Sequence, residues 1–205
     1  GGSVSLSADG SIVAIGNVGL LSRGSGCKFS VLQWKDETWI PLADPILLDD
    51  LVGTTSVALS ADGLTIAVSG LFFTKINSLP FRRVRIYDLR RERWVRRGRT
   101  DIRAGRDEPR RLGRSVDISA DGNVIVVGAS LTHDGGHVQV YDYVVKDDNW
   151  IQRGADLEGE SAGSAFGASV AMSGDGNTIA IGVPRYTGIG GSASGCTRVY
   201  HWMKP

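Results

Sequence analysis

One eight-residue phrase occurs four times in this chain, and a repeat of that kind restricts the available folds more than any other property of the sequence. Ser3-Val4-Ser5-Leu6-Ser7-Ala8-Asp9-Gly10 returns as Ser56-Val57-Ala58-Leu59-Ser60-Ala61-Asp62-Gly63, as Ser115-Val116-Asp117-Ile118-Ser119-Ala120-Asp121-Gly122, and as Ser169-Val170-Ala171-Met172-Ser173-Gly174-Asp175-Gly176. The near-even spacing of Ser3, Ser56, Ser115 and Ser169 marks a supersecondary unit whose apolar face is covered only by its neighbours.

Within each unit the alternation Val4/Leu6, Val57/Leu59, Val116/Ile118 and Val170/Met172 puts an apolar face on a first strand. Asp-Gly then turns the chain, because Gly accepts positive φ without steric cost and Asp bonds its own backbone. The second run is apolar nearly throughout (Ile12-Val13-Ala14-Ile15, Ile66-Ala67-Val68, Val124-Ile125-Val126-Val127, Ile179-Ala180-Ile181), which predicts a strand covered on both faces. A third strand is expected over Phe29–Trp34, Val84–Leu89, Val138–Tyr143 and Arg198–Trp202, and a fourth opens at Trp39, Trp94 and Trp150. Four antiparallel strands per unit describe a blade, so the fold class is all-β, a β-propeller of four repeats. The blades read as 1–52, 53–112, 113–166 and 167–205, with 15 strands expected and the last blade lacking its outer one. The missing strand then comes from outside the chain or the blades belong to a larger ring; a closed four-bladed ring is the alternative.

The 28 glycines in 205 residues fit a chain of short strands and tight turns. No apolar run approaches the roughly 20 residues of a membrane helix, and no basic-then-apolar leader opens the chain. It begins with Gly1 and not Met, as expected of a processed or excised segment.

Phe166-Gly167-Ala168-Ser169-Val170, followed by Gly174-Asp175-Gly176 and Gly182-Val183-Pro184, resembles the FG-GAP repeat of integrin-α-type propellers, with a weaker copy in Leu112-Gly113-Arg114-Ser115 and Gly128-Ala129-Ser130. The resemblance spans the chain and is nearest to divergent secreted or surface members. It implies an extracellular or cell-surface location and a role in adhesion or structural assembly with other proteins. Calcium-binding members carry several Asp in the loop, whereas each turn here offers one (Asp9, Asp62, Asp121, Asp175). Calcium takes six to eight oxygens, so no metal and no cofactor are expected. The phrase Ser56–Gly63 with Val84-Arg85-Ile86-Tyr87-Asp88-Leu89 is also similar to WD40 strands, which implies an intracellular interaction hub, but the period is too long and the Gly-His dipeptide is missing.

Fourteen arginines fall between Arg82 and Arg114 against five acids, a local charge of +9 that leaves −8 for the rest. Arg82, Arg83, Arg85, Arg90, Arg91, Arg93, Arg96, Arg97, Arg99, Arg110 and Arg111 are candidates for binding an anionic partner, such as a polysaccharide or acidic protein, at the outer rim of blade 2. The competing reading is a charged edge that blocks strand pairing, or arginines paired with neighbouring acids. Nucleic acid is not expected, because aromatics are not interleaved as stacking platforms. Cys27 and Cys196 occupy equivalent places at the start of third strands, which argues against a bond between them and leaves intermolecular disulfides or free thiols. His133, His137 and His201 form no metal motif, and no nucleophile elbow or P-loop occurs, so an enzyme is not expected. Trp39, Trp94 and Trp150 read as packing between blades ahead of sugar platforms. A lectin-like propeller is the alternative function.

Overall fold

The four Asp-Gly phrases all fold in the same way in the computed structural model, which describes residues 2–16, 27–48, 50–72, 81–103, 113–130 and 135–203. In the first, the Gly10 N–H donates to Ser7 O at 3.0 Å, closing a four-residue turn. The Ser7 hydroxyl donates to Asp9 Oδ1 at 2.6 Å and accepts from the Ile12 N–H at 2.9 Å. Gly10 takes φ 71°, and Gly63, Gly122 and Gly176 take 71°, 71° and 70°. Only the Gly is left-handed, so this is a turn followed by a single αL residue, and Ser and Asp are in the phrase because together they hold it. The hydroxyl and backbone donors keep the Asp9 and Asp175 carboxyls at about 2.

These turns join first to second strands in every blade. Blade 1 is β1 (Ser3–Leu6), β2 (Ile12–Gly16), β3 (Cys27–Lys35), β4 (Thr38–Pro41) and β5 (Ile46–Leu48); blade 2 is β6 (Leu51–Leu59), β7 (Thr65–Phe72), β8 (Phe81–Arg90) and β9 (Arg93–Arg103). Blade 3 is β10 (Ser115–Ile118), β11 (Val124–Ala129), β12 (His137–Val144), β13 (Asn149–Gln152) and β14 (Leu157–Glu158); blade 4 is β15 (Ser169–Met172), β16 (Thr178–Val183) and β17 (Cys196–His201). Every sheet is an antiparallel meander in sequence order, and blade 4 has three strands. Four such sheets packed face to face are blades of a β-propeller. Blade 2 begins at Leu51, slightly earlier than the repeat implied.

The fourth strand departs from a simple reading. β4 pairs with the end of β3 and β5 with its beginning, and β13 and β14 divide β12 in the same manner. β9 stays continuous but bulges opposite Arg85, where Val84 pairs with Ile102 and Ile86 with Arg97. The outer strand therefore breaks or bulges at one place in three blades: Pro41 to Pro45, Gly98 to Asp101, and Arg153 to Asp156. Pro cannot donate to a ladder. Gly98 and Gly154 have φ 93° and 71°. Each has a tryptophan of the next blade below it: a Cβ on Gly98 would lie 2.8 Å from Trp150, and one on Gly154 would lie 2.7 Å from Trp202.

The core is three clusters, one in each joint between successive blades. Ile12, Phe29 and Val31 meet Val57, Leu59, Ile66 and Val68; Val84 and Ile86 meet Val116, Ile118, Ile125 and Val127; Val124, Val126, Val138 and Val140 meet Ile179 and Ile181. The second strands of blades 2 and 3 are covered on both faces, as their composition implies. In the terminal blades β2 and β16 alternate between buried and half-buried residues, because each has a neighbour on one side only.

Candidate functional site

The arginine-rich run builds β8, the turn Arg91-Glu92 and β9, the outer edge of blade 2. Side chains on a strand alternate between faces, so the arginines divide into groups with different surroundings.

On the face turned toward blade 1, four guanidinium groups gather around one carboxylate. Asp101, with its side chain 2 % exposed, accepts from Arg83 at 2.7 Å, Arg85 at 3.0 Å and Arg96 at 2.6 Å, with Arg103 at 3.7 Å. Arg85 also makes a two-pronged contact with Asp50, at 2.9 and 2.6 Å, and lies over the Phe72 ring at 4.3 Å. Burial pushes the Asp101 carboxyl up, and the bonds and charges of Arg85, Arg83 and Arg96 more than reverse this and hold it below its ordinary range. The β9 bulge is what turns Asp101 inward.

On the face toward blade 3, Arg97 donates to Asp88 at 3.3 Å, bonds Asn123 of blade 3, and stacks over the Tyr143 ring at 4.1 Å. Arg153 repeats this arrangement one blade on, bonding Asp142 and donating to Gly176 O of blade 4 at 2.9 Å, with Trp202 beneath it at 5.7 Å. Both arginines sit in the same sequence frame, Trp94-Val95-Arg96-Arg97-Gly98 and Trp150-Ile151-Gln152-Arg153-Gly154. The shared Trp-x-x-Arg-Gly spacing was the available signal for this inter-blade clamp, and sequence reasoning missed it. In blade 1 the corresponding residues are Leu42 and Ala43, and Leu42 packs into the apolar cluster instead.

Of the arginines expected on a free rim, Arg83, Arg85 and Arg97 are therefore turned inward, with side-chain exposures of 5, 11 and 11 %. They hold the blade together and are not presented to solvent. Arg82 is half-buried, and Arg110 and Arg111 lie outside the described residues. Exposed on the edge are Arg90, Arg91, Arg93, Arg96, Arg99 and Arg103. Arg90 pairs with Asp88 at 2.9 Å, while Arg91, Arg93 and Arg99 make no ion pair among the described residues.

The cysteines do stand at equivalent places, Cys27 opening β3 and Cys196 opening β17. Cys196 is a half-buried free thiol, and the Cys27 side chain lies outside the described residues. No group of three His, Cys, Asp or Glu side chains capable of holding a metal occurs among the described residues. No helix among them is long and apolar enough to cross a membrane. Trp150 is 6 % exposed between blades 2 and 3 and Trp94 packs on the first cluster, whereas Trp39 remains 41 % exposed beside Trp34.

No family model and no curated protein matches the chain. Solved structures do match. A putative 6-phosphogluconolactonase from Bacteroides uniformis is 12 % identical with a TM-score of 0.62, covering 99 % of this chain and 53 % of that one. KlAtg21, solved with the coiled coil of AgAtg16, is 14 % identical with a TM-score of 0.57, covering 98 % and 53 %. The β-propeller domain of the Trilobed protease from Pyrococcus furiosus, which has an open velcro topology, is 12 % identical with a TM-score of 0.51, covering 98 % and 54 %. The chain thus spans little more than half the length of the proteins it resembles, and what it shares with them is the β-propeller fold.

Proposed function

We propose that the chain is a non-enzymatic interaction scaffold whose blade 2 edge docks an anionic partner. The observation that carries this reading is the set Arg91, Arg93 and Arg99, exposed on the turn and outer strand of blade 2 and in no ion pair among the described residues, with Asp88 and Asp101 engaged by other arginines and Asp148 of blade 3 acting on Arg99 only through its charge. Exposed guanidinium groups that are not held in an ion pair suit sulfate or carboxylate groups spaced along a polymer or an acidic protein surface. The FG-GAP-like motifs favour a secreted or cell-surface setting and protein or glycan partners in an assembly.

The test is retention on immobilised heparin as an anionic probe. Arg91→Gln, Arg93→Gln and Arg99→Gln together are expected to move elution to clearly lower salt with the thermal midpoint unchanged, since electrostatic retention is screened by salt. Unchanged retention of the triple variant sinks the edge reading.

A further inference from the structure

We propose that blade 2 holds a site for one doubly charged tetrahedral oxyanion, a sulfate or phosphate group, gripped by the guanidinium groups of Arg96 and Arg103 on the side that faces blade 1.

The same position in blade 3 shows what the fold requires there. Tyr141 stands opposite Gln152, and His137 opposite Glu158. In blade 2 the matching pairs are Tyr87 with Arg96 and Arg83 with Arg103. Gln139, opposite Val127, takes the place of Arg85, opposite Val68. Each set surrounds one Asp at the bend of the outer strand: Asp156, just before the Leu157 that pairs with Val138, and Asp101, just before the Ile102 that pairs with Val84. In blade 3 neutral donors satisfy it. Gln139 Nε2 donates to both Asp156 oxygens at 3.0 Å and Gln152 Nε2 to one of them at 2.6 Å, while the Tyr141 hydroxyl donates to Gln139 Oε1 at 2.8 Å. Two amides are therefore enough to hold this bend, yet blade 2 gathers four guanidinium groups on it.

That excess works against the sheet. Arg83 and Arg103 stand directly opposite each other, a like-charge cross-strand pair of the kind that destabilises, where blade 3 has His137 and Glu158. Asp101 is engaged from the interior, Oδ2 accepting from Arg83 at 2.7 Å and Oδ1 from Arg85 at 3.0 Å. Asp50, the other described carboxylate of the group, takes both prongs of Arg85. Arg96 adds one bond to Asp101 Oδ1 at 2.6 Å, and Arg103 reaches Oδ2 only at 3.7 Å, beyond hydrogen-bond length. These two are the solvent-facing members, 39 and 59 % exposed. A guanidinium carries five N–H donors, so most of theirs are open to a ligand.

Charge and reach define what fits. The Nη2 atoms of Arg96 and Arg103 approach the two oxygens of one carboxylate, which puts both within the span of a single tetrahedral anion. Asp101 and Asp50 are matched by Arg83 and Arg85, so the two outer arginines bring two positive charges that a doubly negative group balances. Guanidinium forks suit the oxygens of sulfate and phosphate, and the bond to Asp101 holds Arg96 in place before the ligand arrives.

The experiment is thermal unfolding by circular dichroism in rising sodium sulfate and in rising sodium phosphate, with ionic strength held constant by chloride. Both ions also stabilise proteins by exclusion from the surface, which does not saturate. A bound ion adds a part that does. The parent chain is expected to show a saturable rise of about 5–11 °C at a hundred times the half-saturating concentration. The ion with the lower half-saturating concentration tells a sulfate ester from a phosphate ester. Arg96→Gln with Arg103→Glu gives blade 2 the side chains that blade 3 has there, and is expected to keep the fold and lose the saturable part. Should it not fold, Arg103→Gln alone is expected to raise the half-saturating concentration about tenfold. A parent response that saturates in neither ion overturns the proposal, as does a folded variant that saturates like the parent. The variant neutralised at Arg91, Arg93 and Arg99 is expected to titrate like the parent, and loss of saturation there assigns the ion to the outer edge and overturns this site.

Discussion

Replacing Asp101 by Asn keeps the shape of the side chain and removes the negative charge shared by Arg83, Arg85 and Arg96. Arg85 retains Asp50, and Arg96 is 39 % exposed, so water reaches it. Arg83 is 5 % exposed, so water reaches it least of the three. Removing one partner of a buried pair typically costs about 3–5 kcal/mol, because the remaining charge is left desolvated. At about 2–4 °C per kcal/mol for a domain of this size, Asp101→Asn should lower the melting temperature by about 6–20 °C. The exposed pair Arg198 to Glu160, at 36 and 57 % exposure, is the internal control. Glu160→Gln should move the melting temperature by no more than about 2–4 °C. Acid sharpens the test. The folded-state pKa of Asp101 is depressed, so its contribution is complete above the unfolded value of 3.8 and is lost as pH falls below it. The gap between parent and Asp101→Asn, followed by thermal circular dichroism, should therefore be full at neutral pH and shrink below about pH 3.8. A variant melting within about 2 °C of the parent at neutral pH, or a gap that does not shrink in acid, refutes the counter-charge reasoning.

The turn glycines should separate by position. Gly10→Ala meets only the left-handed backbone penalty, about 1 kcal/mol. Gly63→Ala meets the same penalty and also crowds Ile12. Overpacking of that kind adds about 1–3 kcal/mol, so urea unfolding should rank Gly63→Ala as the less stable variant. Arg91 and Glu92 both hold the left-handed backbone conformation. Glycine carries no steric cost there, so Glu92→Gly should stabilise by about 1 kcal/mol and raise the melting temperature. Arg97→Lys keeps the charge but loses the planar stack on Tyr143 and the bond to Asn123. It should cost about 1–3 kcal/mol by denaturant titration. Asp117 is pushed up by burial, with the Met172 and Ile118 N–H groups opposing, so it costs stability as pH rises above 3.8. Asp117→Ser keeps an acceptor, as Ser5 does for Leu59 N at 3.0 Å, and should raise the neutral-pH melting temperature with the gain vanishing in acid.

The hairpins were legible because everything that makes them is local: Ser7 orients Asp9, Asp9 takes the Ser11 N–H, and Gly10 supplies the positive φ. The three-strand meander follows from the apolar runs. The broken outer strand was less so, because Pro45, Gly98 and Gly154 are unlike residues serving one bend, and the tryptophans beneath two of them come from the next blade. The arginine cluster stood out by count, but its division did not. Asp101 and Asp50 lie 16 and 35 residues from Arg85, and only the bulge in β9 brings the first of them inward. Counting charges shows how many guanidinium groups a segment has, not how many are spent inside it.

The three joints share one backbone scheme, and the second and third also share the arginine clamp, but each adds polar contacts of its own. The first joint uses hydroxyls, Ser3 and Ser5 accepting from the N–H groups of Val57 and Leu59. The second uses Arg97 on Asn123 and the Trp150 N–H on Arg97 O. The third uses the Asp117 carboxylate on Met172 N and Arg153 on Gly176 O. Four blades with near-identical apolar faces would otherwise stack in any order, since Val and Ile surfaces discriminate weakly by shape. A carboxylate facing a backbone N–H, or a guanidinium facing an Asn oxygen, leaves a buried polar group unpaired in the wrong joint, and that penalty enforces sequence order.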